Sequence, residues 1–260
     1  MDLGIAGSRA LIIGASGGLG AACAARLAEA GCDLHLVARR KGPLMEVARA
    51  LSDRYRVACG TTAADQADPE ARLAILRDCP DPDMLVISGG WPDRVADPAS
   101  TTLAEWRRSV EAMMLPAIDL VTRIYPGMVE RGFGRIVVVT SRLIKDPEPD
   151  LAMPAAARLG LTGFLKALSR EVAPHGVTVN TLLPGVFGTG TQMASIAAAS
   201  REAGHGEAEE IARRMRATPA GRLGRPEEFS SLCAYLCSAQ AGFLTGQALV
   251  MDGGAHTGIW

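Results

Sequence analysis

Arg9-Ala10-Leu11-Ile12-Ile13-Gly14-Ala15-Ser16-Gly17-Gly18-Leu19-Gly20 is the stretch that decides the fold. Arg9 to Gly14 is a continuous apolar run, the mark of a strand covered on both faces. Glycines follow at once, and from Leu19 to Ala30 the composition is helical. A glycine-rich turn between strand and helix lets backbone N–H groups and the positive helix end converge on one point, where a pyrophosphate fits. Glycines alone would mark only a tight turn. Here a strand precedes them, a helix follows, and a second strand at Asp33 to Val37 completes a βαβ unit, so Gly14, Ser16, Gly17, Gly18, Leu19 and Gly20 read as a dinucleotide-binding turn.

The same alternation continues outward. Arg56 to Gly60, Met84 to Ser88, Arg135 to Thr140, Val177 to Leu182 and Ala248 to Met251 read as strands. Leu19–Ala30, Gly42–Leu51, Pro69–Arg77, Leu103–Glu130, Ala155–Val172 and Pro226–Cys237 read as helices, with Pro116 and Pro126 expected to kink or end the fourth. Strands buried on both faces and separated by helices define an α/β fold, a doubly wound parallel sheet with helices on each side. One domain over residues 1–260 is expected, and the strandless, Ala/Gly/Ser-rich excursion at about 190–221 suits a substrate lid.

Composition sets the outer limits. The chain is 48% hydrophobic and 21% charged, enough apolar material for a core, and only 4% aromatic, so that core is aliphatic. Lys+Arg 27 against Asp+Glu 28 leaves a net charge of −1 and no electrostatic footprint for nucleic acid or an anionic membrane. Met1-Asp2-Leu3-Gly4 opens no leader, and no stretch approaches the ~18 apolar residues of a membrane span, so a cytoplasmic location is expected. Six cysteines without a Cys-x-x-Cys pair and four scattered histidines predict no metal site; Cys233 and Cys237, at i and i+4, read as core packing.

The spacing Gly14-x-x-x-Gly18-x-Gly20 resembles the short-chain dehydrogenase/reductase family, and the resemblance extends over nearly the whole chain. Ala64-Asp65-Gln66 is similar to the family's adenine contact. Ser88-Gly89-Gly90 stands where Asn-Ala-Gly is usual. Pro184-Gly185, with Phe187 and Thr189, follows the sixth strand as in members that hold the nicotinamide amide and phosphates. Arg225-Pro226-Glu227-Glu228, Thr245-Gly246-Gln247 and Asp252-Gly253-Gly254 resemble the 3-oxoacyl-acyl-carrier-protein reductase branch. The resemblance implies a Rossmann-type sheet of about seven strands in the order 3-2-1-4-5-6-7, a nicotinamide cofactor, a small-molecule substrate and a homo-oligomer, dimer or tetramer. At the end of the second strand, Val37-Ala38-Arg39-Arg40-Lys41 offers cations and no acid. A guanidinium fork fits a ribose 2′-phosphate, so Arg39 and Arg40 favour NADP(H) over NAD(H); the plainer reading is a solvated basic helix start.

At the catalytic end the pattern breaks. The family uses a tyrosine as acid/base, a lysine four residues on, a serine at the substrate oxygen and an asparagine on the preceding long helix. Ser141 is in place after the fifth strand, but thirteen residues on stands Pro154, and Gly163-Phe164 gives the same register. Pro154-Ala155-Ala156-Ala157-Arg158 thus aligns on Tyr-x-x-x-Lys, with Arg158 able to donate to ribose hydroxyls, and Met113 occupies the asparagine position. Tyr55, Tyr125 and Tyr235 lie in segments away from the site. Lys145, Asp146, Glu148 and Asp150 on the loop 142–151, or His205 from the lid, are candidate replacements, each equally readable as a solvated group. Arg213, Arg214 and Arg216 suit an anionic substrate group or an exposed helix face. The first reading is a noncanonical NADP(H)-dependent oxidoreductase with Ser141 and Arg158 at the substrate oxygen. The alternatives are a silent subunit or nucleotide sensor, pairing as a hetero-oligomer with an active paralogue, and a non-redox lyase or isomerase.

Overall fold

The computed structural model describes residues 2–89 and 100–259. β1 (Arg9–Ile13) is hydrogen-bonded in parallel to β2 (Asp33–Ala38) on one side and to β4 (Met84–Ile87), the middle strand of the sheet, on the other. β3 (Cys59–Ala63) lies outside β2, and β5 (Gly134–Val139), β6 (Val177–Pro184) and β7 (Ala248–Met251) extend the far side. The seven-stranded order is β3-β2-β1-β4-β5-β6-β7, with every pairing parallel. This is the order implied in advance. Strand order reverses between β1 and β4, and the crevice at their carboxyl ends is where such sheets receive ligands.

The five strands β1, β2, β4, β5 and β6 feed two cores, because successive side chains point to opposite faces. Ala10 and Ile12 join α1 (Gly18–Glu29), α2 (Lys41–Tyr55) and α9 (Pro226–Cys237); Leu11 and Ile13 join α3 (Pro69–Asp78), α5 (Leu115–Arg131) and α6 (Ala152–Val172). α1 presents the small residues Cys23, Ala24 and Ala28 beside Leu27, and α9 answers with Cys233, Ala234 and Cys237, all buried. Small side chains let the two helix axes approach closely, so Cys233 and Cys237 are packing residues. Their thiols are pushed well above the ordinary range, Cys233 mainly by hydrogen bonding to Cys23 and Cys237 mainly by its bond to Cys233 and by burial.

Most boundaries fall within a few residues of the sequence reading, and three departures have a clear physical cause. The third strand is Cys59–Ala63 and not Arg56–Gly60, because α2 runs on to Tyr55 and closes with Arg56 in the left-handed region (φ 61°), its N–H on Ser52 O. The span Leu103–Glu130 is two helices, α4 (Leu103–Met113) and α5. The break falls at Met114 (φ −112°, ψ −59°), with Pro116 in the first turn of α5, where its missing N–H costs nothing. Pro126 lies inside α5, which continues to Arg131. α6 begins at Ala152, after a 3-10 turn at Pro149–Leu151, so Pro154 falls within its first turn. Residues 190–221 form α7 (Gly190–Ala203) and α8 (Glu207–Arg216), joined through Gly204 at φ +70°.

Candidate active site

A cavity of about 510 Å³ runs along the carboxyl ends of β1, β4, β5 and β6. At one end it is floored by the glycine turn. Gly14 (φ +84°) must be glycine, since a Cβ there would lie 1.6 Å from Ser88 O; at Gly20 a Cβ would come within 2.3 Å of Gly14 O. Close approach of backbone on backbone seats the start of α1 at the switch point. A Cβ on Gly17 would meet nothing within 4 Å, and no side chain caps α1, so its first amides are left to the cavity. An uncapped 12-residue helix start opening on bare space is a fit for a pyrophosphate. Thr140 on the cavity wall adds a buried hydroxyl with no hydrogen-bond partner among the described residues.

The remaining nucleotide candidates distribute as follows. Ser16, Gly18, Leu19, Ser88 and Gly89 line the cavity with the glycine turn; Gly90 lies outside the described residues. Arg40 lines the cavity, whereas Arg39 is exposed and stands 3.9 Å from Asp65, beyond the rim. The structure thus favours Arg40 of the two arginines. Gln66 reaches Gly89, its Nε2 3.2 Å from where a Cβ would sit. Pro184, Gly185 and Thr189 line the cavity, and Thr189 also caps α7 by accepting from Gln192 N at 3.2 Å. Phe187 borders it too, but its ring is buried edge-on against Phe229 at 5.4 Å, a core contact.

At the other end stand Ser141 and Arg158. Ser141 follows β5, and its Oγ accepts from Leu143 N at 3.3 Å, which orients the hydroxyl oxygen over the following 3-10 turn. Arg158, on the inner face of α6, is buried, and loss of solvation pushes its guanidinium pKa down to about 10. Pro154 is buried in the first turn of α6, and Met113 ends α4; neither lines the cavity.

Of the five candidate proton carriers, the structure brings one to the cavity. Glu148 lines it, tied to Arg142, which also holds Asp146 at 3.2 Å. Lys145, Asp146 and Asp150 are not on the wall, and His205 turns to Glu210, with Nε2 3.6 Å from its carboxylate. Arg213 and Arg214 both bind that carboxylate, at 2.6 and 2.8 Å; the bonds from Arg213 and then Arg214 hold Glu210 down at about 2. Arg214 reaches the cavity, while Arg213 and Arg216 are exposed and off its wall. Sequence reasoning missed Arg142, Gln192 and Ser195, which complete the wall. The last two are i and i+3 on α7, a polar pair on one face that its Ala-rich composition disguised.

Fold and site together define a doubly wound parallel α/β protein with a cavity at the switch point, the place where such sheets receive ligands. A family model described as enoyl-(acyl carrier protein) reductase matches residues 14–256, and the chain belongs to this family, within the short-chain dehydrogenases/reductases. It is 31% identical over 256 residues to acetoacetyl-CoA reductase of Cupriavidus necator, covering 96% of this chain and 98% of the relative. It is also 31% identical over 259 residues to a 3-oxoacyl-(acyl-carrier-protein) reductase of Vibrio cholerae, with 98% and 99% coverage. Among solved structures, L-sorbose reductase of Gluconobacter frateurii, complexed with NADPH and L-sorbose, superposes with a TM-score of 0.94 at 28% identity over the full length of both chains. Actinorhodin polyketide ketoreductase with NADPH gives 0.89 at 29% identity, over 97% of this chain and 98% of its own. Among the described residues no helix is long and apolar enough to cross a membrane.

Proposed function

We propose that the protein is an NADP(H)-dependent oxidoreductase acting on a carbonyl or hydroxyl group of a small molecule, with Pro154 and Arg158 standing where the family has tyrosine and lysine. One observation carries this: a single cavity joins the glycine turn and Arg40 to Ser141, Arg158 and Glu148. The NADPH bound in the sorbose reductase and the polyketide ketoreductase supports the choice of nucleotide.

When bound, the nicotinamide supplies the hydride. Gly14, Ser16 to Gly20 and the first amides of α1 would hold the pyrophosphate, Arg40 would pair with the 2′-phosphate, and Thr189 with Pro184 and Gly185 would border the nicotinamide. Ser141 donates its hydroxyl proton in a hydrogen bond to the substrate oxygen, and Arg158 stabilises the negative charge that grows there during reduction. Glu148, within the same wall, exchanges the proton with that oxygen directly or through one water. α7 and α8 serve as the lid that excludes bulk solvent. A homo-oligomer is the expected assembly, and the cytoplasm the expected location.

Calorimetric titration of wild type and Arg40→Ala with NADPH and NADH, followed by a hydride-transfer assay over ketones, thioesters and alcohols, tests this. The expected outcome is NADPH binding that weakens at least about tenfold in Arg40→Ala, the cost of one phosphate pair, with turnover of at least one substrate. A second reading, a nucleotide-binding subunit without chemistry, is favoured by one observation: Pro154 and Met113 offer no titratable group and stand off the cavity. Tight NADPH binding without turnover of any substrate would select it.

A further inference from the structure

Charge around the cavity is lopsided. Among the described side chains on its wall, Arg40, Arg142, Arg158 and Arg214 face one carboxylate, Glu148. Arg40 belongs to the nucleotide end, and Arg142 and Glu148 neutralise each other. Arg214 is different. Its side chain is 14% exposed, and its Nε donates to Glu210 at 2.8 Å, which fixes the plane of the guanidinium. Glu210 is itself 1% exposed and also binds Arg213 through both oxygens, so one carboxylate serves two guanidiniums. No described residue accepts from Nη1 or Nη2 of Arg214. The buried Gln192 side chain and Ser195 stand on the same wall, and the Gln192 side-chain amide also has no partner among the described residues.

A guanidinium locked through Nε and open at both Nη groups is a fork for a planar or tetrahedral oxyanion. Because the single Glu210 carboxylate is shared with Arg213, the cluster of two guanidiniums and one carboxylate keeps a net positive charge, and the part of it that reaches the cavity is Arg214. We infer that the substrate carries a terminal oxyanion, carboxylate or phosphate, bound bidentately by Arg214 with Gln192 and Ser195 as additional donors. Its reacting carbonyl then lies toward Ser141 and Arg158. The inference deepens the proposed oxidoreductase reading and rests on it. It also makes α7 and α8 the segment that selects the substrate, which is held on those helices by its anion and on the body by its reacting carbonyl.

The test is calorimetry on the NADPH-saturated protein with two sets of probes. One set is short 2- and 3-oxo carboxylates against their carboxamides; the other is phosphorylated ketoses against the free sugars. Wild type is expected to bind one anionic member at least about tenfold more tightly than its neutral counterpart, as one charge-assisted pair requires. The set that shows the preference identifies the oxyanion. Arg214→Gln is expected to erase the preference and leave NADPH affinity unchanged; Arg216→Gln, on the exposed side of α8, leaves both. Arg214→Lys keeps a cation for the i,i+4 pair with Glu210 within α8, yet loses the fork and is expected to lose most of the preference. Equal binding of anionic and neutral probes at millimolar concentration, or an unchanged preference in both Arg214 variants, overturns the inference. A fall in NADPH affinity on Arg214→Gln that matches the fall in anion affinity also overturns it, because Arg214 then serves the nucleotide. Absence of NADPH binding to wild type is a separate result, and it removes the oxidoreductase reading instead.

Discussion

At the scale of single residues, the two ends of the cavity differ in kind. The glycine turn is fixed by steric exclusion: at Gly14 a methyl group would occupy the space of Ser88 O, and φ is +84°. Left-handed backbone costs an L-residue ~1–2 kcal/mol before any clash. Gly14→Ala is therefore expected to part β1 from β4 at the switch point and abolish NADPH binding, read by calorimetry alongside circular dichroism. The catalytic end is fixed by charge. Arg158 keeps its cation until pH passes about 10. If that charge stabilises the oxygen in the transition state, activity is present below this value and lost as pH rises through it. A lysine in the same buried place starts from ~10.4 and is lowered by the same desolvation. Arg158→Lys is thus expected to retain turnover near neutrality with an alkaline limb at clearly lower pH. A pH–rate profile identical to wild type would show that this charge is not used.

At the scale of elements, α8 and the turn before it are tied together by one buried carboxylate. Glu210 sits in the first turn of α8, accepts from Arg213 and Arg214, and faces His205 from the turn after α7. Its pKa in the folded state is about 2, against an ordinary 4.5. A depressed carboxylate contributes stability that is complete above the ordinary value and lost as pH falls toward the folded one. Wild type is expected to lose these contacts within α8 and the turn before it between about pH 4.5 and pH 2, while Glu210→Gln is destabilised at neutrality and converges with wild type in acid. Amide exchange in α7 and α8 across that range would follow it. The legibility of the elements has a physical pattern too. β1, β4 and β5 declare themselves as apolar runs because helices cover them on both sides. β3 carries Gly60, Thr61 and Thr62 on the sheet edge, so nothing apolar marked its true start, and the left-handed cap at Arg56 has no side-chain signature. In the site, the glycine turn was readable because backbone sterics demand those residues. That Glu148 and not Asp146 reaches the cavity depends on how Arg142 shares itself between them, a tertiary fact.

At the scale of the whole molecule, the sheet and the cavity are one object. The nucleotide candidates come from the ends of β1, β2, β4 and β6 and the starts of α1 and α7, segments that separate when the chain unfolds, so a ligand held among them binds the folded state alone. Binding to the folded form stabilises by RT ln(1 + [L]/Kd), ~2.7 kcal/mol at a hundredfold excess over Kd. For a chain of this size that is a rise in thermal midpoint of several degrees. NADPH is expected to raise the midpoint by that amount and NADH by less at equal concentration. The difference should vanish in Arg40→Ala, because only the 2′-phosphate separates the two nucleotides. An oxyanion bound at Arg214 should add a further rise only after NADPH is present, if the nicotinamide forms part of the floor on which the substrate rests. Equal shifts from the anion with and without nucleotide would mean instead that the lid closes independently of the cofactor.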